Sequence, residues 1–132
     1  HPTESKANAN AMKNKKYHKS WVVFQPHTYS RTTNLLNDFA NALIEFDNII
    51  ITDIYAAREK NIYNISAKDL AIEINKLGKD AKYISDFEEI KNYLIKNVQP
   101  NDLILTLGAG TVTNIGSMLV RTNRKALKFV LI

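Results

Sequence analysis

The chain has 132 residues, 45% hydrophobic and 23% charged, with no cysteine and a formal net charge of +5. These values fit one globular domain, residues 1–132, and exclude disulfides and thiolate metal sites. No apolar run approaches the ~20 residues of a membrane-spanning helix, and the polar start HPTESK carries no apolar signal-peptide core.

Apolar runs alternate with helical periodicity along the chain, the pattern of repeated βαβ units. Thr3–Lys13 reads as a short helix capped by Thr3, with Ala7 and Ala11 on one face. The basic run to Lys19 leads into a strand at Trp21–Gln25, which Pro26 ends for want of an N–H. A helix is expected from about Thr33 to Phe46, with Leu35, Phe39 and Leu43 at spacing four. Asn48–Asp53 reads as a strand whose continuous isoleucines suit burial on both faces. Tyr55–Ile65 has no clean period and reads as a loop.

Ser66, with Asp69 three residues on, opens a helix that runs to Leu77 and stops at Gly78. Ala81–Ile84 is a short strand. Asp86 caps the next helix, whose inner face carries Phe87, Ile90 and Leu94. A turn at Gln99–Asn101 precedes the strand Asp102–Leu107, and Gly108-Ala109-Gly110 turns into a last helix at Val112–Val120. Leu127–Ile132 reads as an edge strand. Together these elements predict a Rossmann-like three-layer α/β domain, a mainly parallel sheet with helices on both faces.

Ligands in such sheets bind beyond the carboxyl ends of the strands. The residues just after the predicted strands are Pro26–Thr32, Asp53–Lys60 and Gly108–Thr111. Arg31 sits beside His27, Tyr29 and Ser30, and a guanidinium there suits a carboxylate or phosphate through two parallel hydrogen bonds. A lone loop arginine is more often an ordinary surface residue, which is the competing reading of Arg31 and Arg58, but the neighbours of Arg31 favour the clamp. Gly108 and Gly110 serve a tight strand-to-helix turn, although the helix start behind them could also attract an anion. A dinucleotide fingerprint would need a third glycine where Thr113 stands. No metal-ligand spacing appears, and no elbow motif surrounds Ser30. The basic clusters Lys13–Lys19 and Arg121–Lys128 read as solvated segments, so no nucleic-acid partner is expected.

His1-Pro2-Thr3-Glu4, Phe24–Thr32 (FQPHTYSRT), Tyr55–Glu59 (YAARE) and Thr106–Gly110 (TLGAG) occur in an order that resembles the Mur ligase family. The likeness is to its branch that joins L-alanine to UDP-N-acetylmuramate in bacterial peptidoglycan synthesis. It implies the carboxy-terminal domain of a cytoplasmic three-domain enzyme, with the UDP-binding and ATPase domains of the same chain as partners. It further implies ATP and Mg2+ held by the central domain, because no GxxxxGK[ST] loop occurs here. The isolated domain is then expected to be inactive. The substrate-binding residues it implies are Arg31, His27, Tyr29, His1, Arg58 and Glu59, with Gly108 and Gly110 near the nucleotide. Some members carry a second arginine directly after the histidine. Thr28 stands there, so Arg31 would work with His27, Tyr29 or another domain. The competing readings are a free-standing Rossmann-like small-molecule binding module and a nucleic-acid-binding α/β domain.

Overall fold

A computed structural model of the chain describes residues 17–108, 110–122 and 128–131. The helix expected at Thr3–Lys13, His1 and most of the two basic clusters lie outside them.

Five parallel strands form one sheet: β1 Ser20–Phe24, β2 Asn48–Ile51, β3 Ala81–Tyr83, β4 Leu103–Leu107 and β5 Lys128–Leu131. Their spatial order is β3-β2-β1-β4-β5. In register, Val22 lies beside Ile49 on one side and Leu105 on the other. The expected edge strand is present as β5, which pairs with β4 from Leu103–Lys128 onward. The helices are α1 Tyr29–Asn34, α2 Leu36–Leu43, α3 Ala67–Lys76, α4 Phe87–Asn97 and α5 Asn114–Thr122. Among the described residues no helix is long and apolar enough to cross a membrane.

The alternation of side chains along each strand divides the core into two layers. Val22, Phe24, Ile49, Ile51, Leu103, Leu105 and Leu107 face Phe39 and Leu43 of α2 and Leu70 and Ile74 of α3. Trp21, Val23, Ile50 and Ile104 face Ile90 and Leu94 of α4 and Ile115 and Leu119 of α5. The three isoleucines of β2 are therefore apolar in succession because both faces are covered. The sheet is doubly wound, and its direction of winding reverses between β1 and β4. In such sheets that switch point opens a crevice beyond the carboxyl ends of the strands.

Local chemistry sets the element ends. Ser66 and Asp69 form a reciprocal capping box on α3, and Asp86 caps α4 by accepting from Glu89 N. Gly78 ends the α3 segment at φ +91°, a conformation that disfavours residues with a Cβ. The expected Thr33–Phe46 helix differs. Helix begins four residues earlier, at Tyr29, and is interrupted at Leu35 (φ −115°, ψ 20°) before α2 resumes. The early start has a physical cause in Thr28. Its side chain accepts from Arg31 N, and its carbonyl accepts from Thr32 Oγ1 at 2.7 Å. Tyr29, Ser30 and Arg31 thus stand on a helical turn rather than in a loop.

The strand starts, at the opposite end of the sheet, are tied by Asp102, which is 1% exposed. Its Oδ1 accepts from His18 Nδ1 at 2.8 Å and Lys19 N at 3.0 Å. Its Oδ2 accepts from Trp21 Nε1 and Gln99 N, each at 2.9 Å. Burial pushes the Asp102 carboxyl up, but the hydrogen bonds from Gln99, Trp21, His18 and Lys19 outweigh it, and the group lies below the usual carboxylate range.

Candidate functional site

Beyond the ends of β1 and β2 the backbone stays paired. Thr52 N donates to Phe24 O at 3.0 Å, Tyr55 N to Pro26 O at 2.8 Å and Thr28 N to Tyr55 O at 2.8 Å. The result is an isolated parallel bridge between His27 and Tyr55. Their rings stack with centroids 5.7 Å apart and planes 13° from parallel. The His27 Nδ1 is buried without a hydrogen-bond partner.

This zipper carries residues in backbone conformations that L side chains adopt at a cost. Thr28 has φ +67°, Ala57 φ +51° and Arg58 φ +73°. The two strained segments meet through side chains. Glu59 Oε1 accepts from Ser30 N at 3.0 Å, and its Oε2 accepts from Ser30 Oγ. The Ser30 hydroxyl and then the Ser30 amide hold the Glu59 carboxyl below its ordinary value. Arg31 and Arg58 are the chain neighbours of this pair, and both are exposed. Among the described residues neither has an ion-pair partner.

The segment after β4 packs against the same end of the sheet. A Cβ on Gly108, at φ +150°, would meet the Gln25 carbonyl oxygen at 2.8 Å. A Cβ on Gly110 would meet Gln25 Oε1 at 2.5 Å and Tyr55 Cδ2 at 2.7 Å. Both glycines are therefore required by close packing inside the site and not only by a tight turn.

A fourth cluster lies at the end of β2 and β3. The Asp53 carboxylate accepts from Tyr83 OH and Ser85 Oγ. The bond to Asp53, followed by burial, raises the Tyr83 phenol above its ordinary value. Lys68 Nζ sits 5.3 Å from the Tyr83 ring centroid.

The geometry thus gathers His27, Tyr29, Arg31, Arg58, Glu59, Gly108 and Gly110 at one end of the sheet. His1 lies outside the described residues. Sequence reasoning did not single out Gln25 or the Asp53–Tyr83–Ser85 cluster. A signal for Gln25 was present: it is a polar residue directly continuing a strand buried along its whole length. The gathered groups include two exposed guanidiniums without an ion-pair partner among the described residues. They include no activated nucleophile and, among the described residues, no cluster fit to hold a metal. A concavity of about 440 Å³ lies at the other end of the sheet, around His18, Trp21 and Asp102. It coincides with the hydrogen-bonded knot of the strand starts, with Lys19 and Lys79 also on its wall.

Comparison with known proteins decides the family. The model described as Mur ligase, glutamate ligase domain, matches residues 1–110. The chain belongs to the Mur ligase family. It is 49% identical over 121 residues to the UDP-N-acetylmuramate–L-alanine ligase of Acetivibrio thermocellus, a match covering 92% of this chain and 26% of that protein. The protein of the same name from Caldanaerobacter subterraneus is 49% identical over 95% of this chain and 27% of its own length. That from Clostridium acetobutylicum is 46% identical over 89% and 26%. The chain therefore spans about a quarter of these Mur ligases. A crystal structure from Haemophilus ducreyi shares the fold, with a TM-score of 0.64 at 20% identity, covering 92% of this chain and 82% of that one. That structure is of a domain from a protein described as a putative UDP-N-acetylmuramate:L-alanyl-gamma-D-glutamyl-meso-diaminopimelate ligase.

Proposed function

We propose that the chain is the carboxy-terminal domain of a UDP-N-acetylmuramate–L-alanine ligase and that it grips the incoming L-alanine. The observation that carries this reading is the 49% identity to ligases of that name over 92% of the chain. The site chemistry supports it. L-Alanine presents a carboxylate to be held and an amine that must stay free to attack. Arg31 and Arg58, flanking the Ser30–Glu59 contact, are exposed cations at the carboxyl end whose forked guanidiniums suit a carboxylate.

In the proposed reaction the muramoyl carboxylate would take the γ-phosphoryl group of ATP, with Mg2+ held by the central domain, leaving ADP and an acyl phosphate. The neutral amine of alanine would then attack the acyl carbon, the C–N bond forming as the C–O bond to phosphate breaks, with inorganic phosphate and the amine proton released. The contribution of this domain is positional. Holding the amino acid turns the encounter into a near-unimolecular step. Phosphoryl transfer relies on a phosphate-binding loop, and no GxxxxGK[ST] run occurs in this sequence. The other domains of the ligase would supply it, and also the UDP-sugar site. A cytoplasmic setting, where ATP and the nucleotide sugar are available, belongs to the same proposal.

The test is phosphate release that depends on both L-alanine and UDP-N-acetylmuramate. The full-length ligase containing this chain is expected to show it, and the 132-residue chain alone is expected to show none. Turnover by the chain alone, or a full-length protein that ignores L-alanine, would refute the reading.

A further inference from the structure

At the switch point, beyond the carboxyl ends of the strands, the side chain of Gln25 lies between the exits of β2 and β4. Gln25 is 6% exposed and directly follows β1, with its N–H donating to Leu107 O of β4 at 2.9 Å. Its Oε1 accepts from Val112 N, behind the glycine turn, at 3.2 Å in a buried contact. Its Nε2 donates to Asp53 O, at the exit of β2, at 3.4 Å. The same side chain closes against Gly110, where an added Cβ would lie 2.5 Å from Oε1. One amide side chain thus reaches the exits of β2 and β4 from the end of β1, using an acceptor for one and a donor for the other.

We infer that Gln25 is a positioning residue that holds the glycine turn and the Arg58–Glu59 loop in register with Arg31, without itself touching the amino acid. The inference rests on the amino-acid-gripping reading above. Three features converge on it. The amide bonds are made to backbone groups, so they fix loops rather than side chains. The loop leaving β2 at Asp53 is the one that carries Arg58 and Glu59. The glycines leave room for this side chain and for the Tyr55 ring, which itself stacks on His27. Only a group with an acceptor and a donor on one planar end satisfies both partners.

That last requirement gives a test that a space-filling role would not pass. In Gln25→Glu an ionised carboxylate still accepts from Val112 N but faces the Asp53 carbonyl with no proton. Protonation restores the donor, and burial raises the pH at which this happens. In the full-length ligase, Gln25→Glu is expected to raise KM for L-alanine about tenfold at pH 8.5, and the deficit relative to the unaltered enzyme to shrink to about threefold or less at pH 6. Gln25→Leu is expected to show a deficit that does not change with pH. If Gln25→Leu does not fold, the pH course of Gln25→Glu decides the matter within one molecule. A KM within twofold of the unaltered enzyme at every pH overturns the inference, as does a Gln25→Glu deficit independent of pH. Arg31→Ala, run alongside, separates the two levels. If it leaves KM for L-alanine unchanged, the gripping reading itself falls; if it raises KM while Gln25→Glu shows no pH-linked deficit, only the role of Gln25 falls.

Discussion

Asp102→Asn keeps the size of the side chain and removes one acceptor position, which makes it a sharp probe of how the strand starts are held. The aspartate accepts four hydrogen bonds while 1% exposed. An asparagine has one carbonyl oxygen and one NH2. If the oxygen takes the Oδ2 position, Trp21 Nε1 and Gln99 N stay bonded, and the NH2 confronts Lys19 N and the His18 ring. His18, whose side chain is 55% exposed, can turn to water. Lys19 N is fixed ahead of β1 in a part-buried contact, and losing its acceptor there costs about 1–3 kcal/mol. The two remaining bonds lose charge assistance, about 1 kcal/mol each on the difference between charged and neutral acceptors. The sum is a loss of about 3–5 kcal/mol, a large share of the ~5–15 kcal/mol typical of a domain.

Urea denaturation followed by fluorescence reads this directly, because the chain has one tryptophan, Trp21, and it is bonded to Asp102. The pH dependence has a definite sign. The folded carboxyl lies below its unfolded value, so its stabilisation is present above the unfolded pKa of about 3.9 and is lost as pH falls below that toward the folded value. The gap between the two proteins should therefore be full at pH 7 and narrow on acidification below about pH 4. A loss under 1 kcal/mol at pH 7, or a gap that widens in acid, would refute the reasoning.

Three further perturbations follow from particular contacts. Thr106, 1% exposed, has a buried hydroxyl without a partner, so Thr106→Val is expected to raise stability by about 1 kcal/mol in the same urea assay. Ser66→Ala removes one half of the capping box of α3 and should lower stability by about 1 kcal/mol, whereas Ser66→Asp should retain most of it. Ser30→Ala deletes the hydroxyl that does most to depress the Glu59 carboxyl, so the Glu59 titration followed by carboxyl-carbon NMR should move up toward the ordinary glutamate value.

The parts of the fold legible from sequence are those set by local chemistry or by side-chain period. The unbroken run Ile49–Ile51 announced a strand covered on both faces, and the spacing of Ser66 and Asp69 announced a helix start. The break at Leu35 was hidden, since Leu35, Phe39 and Leu43 keep a spacing of four across it. Thr28 at positive φ was equally hidden, because a β-branched residue rarely adopts that conformation. For the site, the topological rule located the loops, but the contacts that shape them join distant residues. Ser30 meets Glu59 across 29 positions and Gln25 meets Val112 across 87. No local pattern encodes such pairs, so a residue like Gln25 gains its meaning only when β1, β2 and β4 are side by side.

The central claim is that this domain holds L-alanine by its carboxylate, and the kinetics of Arg31→Ala in the full-length ligase test it most directly. Losing a charge-assisted contact of about 1.5–3 kcal/mol predicts a KM for L-alanine raised about 10- to 150-fold. The KM for UDP-N-acetylmuramate should stay within about twofold, because the loss is confined to one substrate. An unchanged KM for L-alanine would contradict the account.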